Sequence, residues 1–314
     1  MPPGAWTMKR ELLIALALLS AAPAHAYTST AVTVPTVADS TTRELPATLM
    51  RPDGAGPFPA VVIMHDCSGL GFHSSGAPAR WGNVIANEGY VALIPDSFGP
   101  RGFPDGTCRS NLTPQQRATV GIYARAADAY AALAYLRSLD FIDGKRVAVM
   151  GGSHGGLTTL AAMFEPLPNG PLAQEKQNGF AAAVALYPDC GVRYGAWSVT
   201  RANGERGPVT SYSGVYKPIA PLLILIGEKD DWTPAAPCQA LAERSRQAGH
   251  PVSIKVYPGA LHSFDGNNPP FYDRFRSNIN KADGKGATTG GDSSAWADAI
   301  TQVKAFFREH LAQR

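Results

Sequence analysis

The chain has 314 residues, of which 45% are hydrophobic and 17% are charged. That apolar fraction is sufficient for a buried core and excludes a wholly disordered protein. The 28 basic and 25 acidic residues give a formal net charge of +3, and no basic run is longer than a pair. This near balance of basic and acidic residues excludes a basic arm that binds nucleic acid, and no nucleic-acid partner is expected.

The first 26 residues have the layout of a secretory signal peptide. The pair Lys9–Arg10 precedes the apolar run Leu12–Ala22, and Ala24–Ala26 provides a small-x-small cleavage site. The run is shorter than the ~20 residues that a bilayer requires, which disfavours a transmembrane anchor. The sequence therefore predicts a signal peptide over 1–26 and a single domain over 27–314 that does not span a membrane. The mature protein is expected to be periplasmic or secreted.

After the leader, short apolar runs alternate with helical patterns. The runs are rich in β-branched residues and are bounded by Gly, Pro or Asp, as buried strands are. Because strands that alternate with helices need crossover connections, the pattern predicts a mostly parallel sheet of eight strands with helices on both faces. Strands are predicted at residues 31–37, 44–50, 60–64, 90–94, 146–150, 181–186, 222–226 and 252–256, and helices at 77–87, 114–139, 154–164, 237–248 and 295–311.

Two stretches, 191–216 and 266–292, are predicted to be long loops. Both are rich in Gly, Asn, Ser and Arg. Loops of this length in a compact domain are usually functional or mobile, which leaves open whether they act as a lid.

The clearest chemical motif follows the strand predicted at 146–150. Gly151–Gly156 contains the pattern Gly-x-Ser-x-Gly, and a helix is predicted directly after it. In this context the pattern is typical of a tight turn that holds a serine hydroxyl, here Ser153, out of the top of the sheet. A glycine-rich connection without a catalytic role is the alternative interpretation. The flanking strand and helix favour the nucleophile.

Among seven histidines, His262 is the best placed to activate Ser153. It follows the last predicted strand through a short turn, and so lies at the same edge of the sheet as the serine. The strand at 222–226 ends in Gly-Glu-Lys-Asp-Asp, so either Asp230 or Asp231 could orient the histidine. Both aspartates could instead only cap the helix that follows. The order serine, aspartate, histidine is that of α/β-hydrolases.

An oxyanion hole is expected beside this set of residues. One donor is the backbone N–H of His154, the residue after Ser153. The other is expected in the loop that follows the strand at 60–64, where the N–H of Cys67 is the best placed. Cys67 as the nucleophile is the weaker alternative, because no histidine is better placed for it than for Ser153.

Five segments carry a resemblance to a known family, and they are His65–Leu70, Pro95–Phe98, Gly151–Gly156, Gly227–Asp230 and Gly259–Phe264. From about residue 45 to the C-terminus, the chain resembles the dienelactone hydrolase family. The resemblance implies an α/β-hydrolase fold that works without a metal or an organic cofactor. In that family the acid is the aspartate of a Gly-x-x-Asp motif, which implies Asp230 rather than Asp231.

The chain departs from the family pattern at three places. Members that open dienelactones use a cysteine nucleophile where this chain has Ser153, and a glutamate where it has Asp66. They also hold the substrate carboxylate with arginines, one of them shortly after the catalytic histidine, where this chain has Asp265 and Gly266. Arg101 is a candidate for the other carboxylate contact, or forms only a loop salt bridge. These departures favour a broader ester substrate.

The predicted function is therefore that of a serine hydrolase that cleaves small carboxylic esters through an acyl-enzyme. A peptidase of the same fold is the nearest alternative, although no separate cap or propeller domain is evident. A non-catalytic secreted binding protein is a second alternative. Trp232, with Trp197, Tyr194 and Tyr212, is a candidate for contact with substrate, and these aromatic residues could equally be ordinary packing.

Four cysteines remain after the leader, and an even number in an exported protein can pair in three ways. Cys190 and Cys238 follow two strands predicted to be neighbours, which places them within disulfide reach. Cys67 and Cys108 likewise lie in loops at the predicted catalytic edge. The sequence predicts the bridges Cys67–Cys108 and Cys190–Cys238, with four free thiols as the alternative.

Overall fold

The computed structural model of the chain describes residues 1, 26–36, 44–110, 112–166, 170 and 172–312. The strands in these residues are β1 (Tyr27–Pro35), β2 (Glu44–Pro52), β3 (Phe58–Met64), β4 (Val91–Pro95), β5 (Ile142–Gly152), β6 (Ala183–Leu186), β7 (Ser198–Asn203), β8 (Arg206–Ser213), β9 (Leu222–Gly227), β10 (Val252–Tyr257), β11 (Phe271–Ser277) and β12 (Lys285–Thr289). The α-helices are α1 (Ala77–Asn87), α2 (Pro114–Val120), α3 (Ile122–Arg137), α4 (His154–Met163), α5 (Ala173–Gln177), α6 (Ala235–Gln247) and α7 (Ser293–His310).

Eight of the strands form one sheet in the order β1-β2-β4-β3-β5-β6-β9-β10. β2 pairs antiparallel with both β1 and β4, whereas the other neighbouring strands are parallel. Every residue of β4, β6 and β9 is buried, because these apolar strands are covered on both faces. The predicted α/β class, with a mostly parallel eight-stranded sheet, is confirmed.

Parallel pairing brings the carboxyl ends of β3, β5, β6, β9 and β10 to one edge of the sheet. The segments that leave these ends begin at His65, Ser153, Tyr187, Glu228 and Pro258. Ligand sites of open α/β sheets form at this edge, so the topology alone gathers the candidate functional residues in one place.

The helix predicted as one segment over 114–139 is in fact two helices. Gly121 separates α2 from α3 with an extended backbone (φ −73°, ψ 167°). Upstream, Thr113 and Gln116 form a capping box that fixes the start of α2. α3 is buried along the whole stretch 125–133, although that stretch includes two charged residues.

The two predicted long loops each contain a β-hairpin. β7 pairs antiparallel with β8 inside 191–216, and β11 pairs antiparallel with β12 inside 266–292. The loop prediction was wrong here because these strands are short and rich in polar residues, so they lack the apolar alternation that marks a strand. β7, β8 and β11 are also largely exposed. The buried Arg201 side chain of β7 donates to Asn280 in the second hairpin (2.7 Å), which joins the two hairpins.

No helix in the described part of the chain is long and apolar enough to cross a membrane. The predicted signal peptide covers residues 1–26, of which 2–25 lie outside the described residues.

Candidate active site

Ser153 sits in a sharp turn between β5 and α4. Its φ is +52°, a conformation that non-glycine residues seldom adopt. The turn also needs glycine nearby, because a Cβ at Gly155 would overlap the carbonyl oxygen of Met64 at the end of β3. Local strain of this kind, fixed by packing on both sides, is typical of functional positions.

Ser153, His262 and Asp230 form one continuous hydrogen-bonded chain. Ser153 Oγ lies 2.9 Å from His262 Nε2, and His262 Nδ1 lies 2.7 Å from Asp230 Oδ2. Their exposed fractions are 7%, 0% and 4%, respectively. A hydroxyl, an imidazole and a carboxylate in this order can pass the serine proton to the histidine while the carboxylate holds the ring.

Asp230 is fixed by donors other than His262. Its Oδ1 accepts the backbone N–H groups of Trp232 (2.9 Å) and Thr233 (2.8 Å), and the Thr233 hydroxyl donates to Oδ2 (2.9 Å). These hydrogen bonds keep Oδ2 directed at the histidine. Sequence reasoning did not identify the role of Thr233.

The neighbouring Asp231 points away from the histidine. Its carboxylate accepts from the backbone N–H of Thr288 (2.7 Å) and pairs with Lys281 (3.1 Å), both in the β11–β12 hairpin. Of the two aspartates that the residue pattern left open, only Asp230 contacts His262, and Asp231 fastens the hairpin instead.

The candidate oxyanion donors lie on separate elements. The His154 N–H is at the first turn of α4, where a helix leaves its N–H groups without partners inside the helix. The Cys67 loop is held from two sides, by the Thr107 N–H bonded to the Cys67 carbonyl (2.6 Å) and by the disulfide to Cys108. Among the described residues, no protein acceptor takes the N–H of Cys67.

A buried polar cluster that sequence reasoning missed lies beneath these donors. Arg125 of α3 is fully buried and contacts His154 Nδ1 and the carbonyl oxygen of His65, each at 2.6 Å. Burial, followed by the charge of Arg125, lowers the pKa of His154 to about 3 and holds the pKa of His65 well below its usual range. Both histidines are therefore neutral at physiological pH.

His65 is a structural residue rather than a second base. Its Nδ1 lies 2.8 Å from the carbonyl oxygen of Asp66, and its Nε2 lies 3.1 Å from the backbone N–H of Ser97. Since the ring is neutral, Nδ1 donates to the carbonyl and Nε2 accepts from the amide. The two bonds join the loop after β3 to the loop after β4.

A cavity of about 380 Å³ opens beside Ser153. Trp232 lines it, with its ring centroid 4.8 Å from that of His262. Most of the remaining wall is apolar, and the charged side chains on it are the exposed Arg117 and the buried Asp189. The apolar wall consists of the Cys67–Cys108 bridge, Leu112, Val120, Ile122, Leu157, Val192 and Ile279.

Arg101 does not line the cavity, so the prediction that it contacts substrate is wrong. Its side chain is 3% exposed and forms a bidentate pair with Asp128 of α3 (2.8 Å for each bond). Arg101 instead forms a salt bridge, which was the alternative that the sequence left open. Trp197 and Tyr194 are fully buried packing residues, and neither lines the cavity.

The four cysteines form the two bridges that the sequence predicts, Cys67–Cys108 and Cys190–Cys238. The first lines the cavity, whereas the second is fully buried and joins the segment after β6 to α6. In the part of the chain that the structure describes, no cluster of His, Cys, Asp and Glu could hold a metal ion.

Comparison with known proteins identifies a family and a fold that this chain shares. The family model for dienelactone hydrolases matches residues 45–311. A candidate carboxymethylenebutenolidase of Methylorubrum extorquens is 27% identical over 235 residues, which cover 73% of this chain and 70% of that protein. Among solved structures, a candidate dienelactone hydrolase of Klebsiella pneumoniae superposes with a TM-score of 0.61 at 20% identity, covering 90% of this chain and 99% of the other. The apo form of Thermogutta terrifontis esterase 2 gives 0.59 at 16% identity, over 91% and 97% of the two chains.

Proposed function

Because the chain belongs to the dienelactone hydrolase family of carboxylic ester hydrolases, we propose that it cleaves small esters through an acyl-enzyme formed on Ser153, with His262 as the base and Asp230 orienting it. The observation that carries the proposal is the hydrogen-bonded chain from Ser153 Oγ through His262 to Asp230 Oδ2. A serine held at φ +52° in front of an apolar cavity supports the same role.

In the acylation half, Ser153 Oγ attacks the ester carbonyl carbon while its proton passes to His262 Nε2. The carbonyl oxygen becomes an oxyanion, for which the N–H groups of Cys67 and His154 are the proposed donors. When the tetrahedral intermediate collapses, the bond between the carbon and the alcohol oxygen breaks. His262 returns the proton to the departing alcohol, and the acyl group remains on Ser153.

In the deacylation half, a water molecule replaces the alcohol. His262 takes one of its protons as the water oxygen attacks the acyl carbon, and a second oxyanion forms at the same donors. Collapse then releases a carboxylic acid and returns the proton to Ser153. Throughout both halves Asp230 holds the Nδ1–H of the ring and stabilises the imidazolium while it exists.

The cavity lining supports an ester with an apolar group rather than a small dicarboxylate. Arg101, the arginine considered for a substrate carboxylate, is already neutralised by Asp128. Asp265, which stands near the position where the family has another arginine, is buried and accepts hydrogen bonds from Trp81 and Tyr187, each at 2.8 Å. We therefore expect aliphatic or aryl esters to bind better than anionic ones.

The proposal includes export of the protein to the periplasm or beyond. Residues 1–26 are proposed to be a signal peptide, and two disulfides support an oxidising compartment, because disulfides rarely persist in the cytosol. N-terminal sequencing of the exported protein should then read from Tyr27. A mature protein that retains the leader would refute this part.

The direct test replaces the nucleophile. Ser153→Ala should reduce kcat for p-nitrophenyl butyrate by roughly 10⁴-fold or more, because no other group supplies the attacking oxygen. Ser253→Ala, an exposed serine on β10, is the matched control and should keep wild-type turnover. Undiminished turnover in Ser153→Ala would contradict the assignment.

Hydrolysis of a second substrate class and covalent labelling separate the alternative functions. A peptidase would cleave peptide p-nitroanilides at least as well as esters, and the esterase should not. A non-catalytic binding protein would hydrolyse neither and would stay unlabelled by a fluorophosphonate, which should react with Ser153 of the wild type.

A further inference from the structure

Arg125 of α3 is a cation buried in the interior, and it forms no direct ion pair in the described part of the chain. Its exposed fraction is 0%, and in the described part of the chain no Asp or Glu lies within ion-pair distance of it. The nearest acid on its own helix, Asp128, is engaged by Arg101. Arg125 Nε has no hydrogen-bond partner either. The carboxylates of Asp128, Asp66 and Asp96 stabilise this charge without a direct ion pair. Burial remains the larger effect, so the retention of a charge here calls for a role.

The contacts of Arg125 converge on the two proposed oxyanion donors. One terminal nitrogen contacts the His154 ring, whose backbone N–H is one donor, and the other bonds the carbonyl of His65, two residues before Cys67. The rigid guanidinium fork thus ties the first turn of α4 to the loop after β3, and the two donors lie on these separate elements. The face of the guanidinium packs over the buried Phe98 ring at 4.7 Å.

Arg125 remains charged at neutral pH despite its burial, which lowers its pKa to about 9. His154 is neutral, so its Nδ1 accepts the hydrogen bond without placing a negative charge against the guanidinium. In a water-excluded interior, a fixed positive charge near an atom that becomes negative favours that change.

We propose that Arg125 is the positioning residue of the oxyanion hole: it sets the spacing of the Cys67 and His154 N–H groups and adds a fixed positive field behind them. The inference rests on the proposed esterase function and extends it. Because the oxyanion exists only in the transition state and the tetrahedral intermediates, the contribution belongs to kcat and not to substrate binding. A merely structural arginine would affect the folded fraction and leave the turnover of each folded molecule unchanged.

The test compares Arg125→Met, which keeps length but removes the charge and both hydrogen bonds, with Arg125→Lys, which keeps the charge. On p-nitrophenyl butyrate, Arg125→Met should lose roughly 10- to 100-fold in kcat with KM changed less than about 3-fold, and Arg125→Lys should recover part of the loss. Affinity for phenylboronic acid, which forms an anionic tetrahedral adduct with the serine, should fall in parallel with kcat. Active enzyme is counted by fluorophosphonate labelling.

Unchanged kcat and unchanged boronic acid affinity in folded Arg125→Met would overturn the inference, and so would a loss confined to KM. If Arg125→Met does not fold, His154→Asn, which keeps an acceptor for the guanidinium, is compared with His154→Leu, which has none. A kcat lower in the leucine variant than in the asparagine variant supports the inference, and equal kcat for both overturns it. An inactive wild type would refute the proposed function itself, which separates the two failures.

Discussion

The two disulfides allow a controlled comparison, because they close loops of similar length but differ in what they hold. Cys67–Cys108 spans 41 residues and Cys190–Cys238 spans 48. The perturbation is to replace each pair by alanines, in two separate double variants. The chain-entropy relation gives a loss of about 4 kcal/mol in the free energy of unfolding for either loop. We expect the two variants to be destabilised almost equally.

Their effects on catalysis should differ. The Cys67–Cys108 bridge holds the loop whose N–H is a proposed oxyanion donor, and a donor displaced by an ångström can cost up to ~100-fold in rate. Its removal should lower kcat by roughly 10- to 100-fold. The Cys190–Cys238 bridge joins the segment after β6 to α6. Asp230 is already fixed without it, through the backbone N–H groups of Trp232 and Thr233. Removing that bridge should change kcat by less than about 3-fold.

Urea unfolding followed by tryptophan fluorescence measures the stabilities, and ester hydrolysis below the unfolding transition measures kcat. Wild-type protein before and after mild reduction is the control for effects of the substitutions themselves. Equal losses of kcat in the two variants would contradict this expectation, and so would wild-type kcat in a destabilised variant without Cys67–Cys108.

The contacts of Asp230, Asp231 and His154 can be tested in the same way. Asp230→Asn should lower kcat by roughly 10³- to 10⁴-fold, whereas Asp231→Asn should leave kcat within a few-fold and lower Tm by loosening the hairpin; equal kcat values would refute the distinction. The folded pKa of His154 is about 3, so between pH 6.5 and 3 the unfolded chain binds a proton that the folded chain does not. The free energy of unfolding should therefore fall as pH drops through that range, and His154→Gln should remove up to about 1.4 kcal/mol per pH unit of that slope, measured by unfolding at several pH values. An unaltered slope would show that His154 titrates normally.

The features that could be predicted from the sequence are those that depend on local residue patterns. The turn at Ser153 is marked by glycines at fixed offsets between a strand and a helix, and parallel topology then gathers the strand ends that carry Asp230 and His262. The choice between Asp230 and Asp231 needed the resemblance to a family, because adjacent aspartates at a strand end look alike until the position of the hairpin is known.

Arg125 could not be identified in the same way, because its function depends on burial and on contacts far along the chain. One pattern does point to it. The stretch 125–133 is nearly all alanine, leucine and tyrosine, and a helix that is apolar on every side is buried, so the charges within it must be buried too. The hairpins at 198–213 and 271–289 were missed because their short polar strands pair through the backbone and show no clear alternation of apolar side chains.

The attachment of the β11–β12 hairpin bears on how substrate enters. Asp231 fastens the hairpin directly beside the acid, and the backbone N–H of Gly290, just beyond β12, bonds to the carbonyl oxygen of His262 (3.1 Å). If the hairpin moved away as a flap, it would displace His262 directly and Asp230 through the adjacent Asp231. Substrate and product therefore enter and leave the cavity while the hairpin stays in place. Hydrolysis should start without a lag and without activation at an oil–water interface.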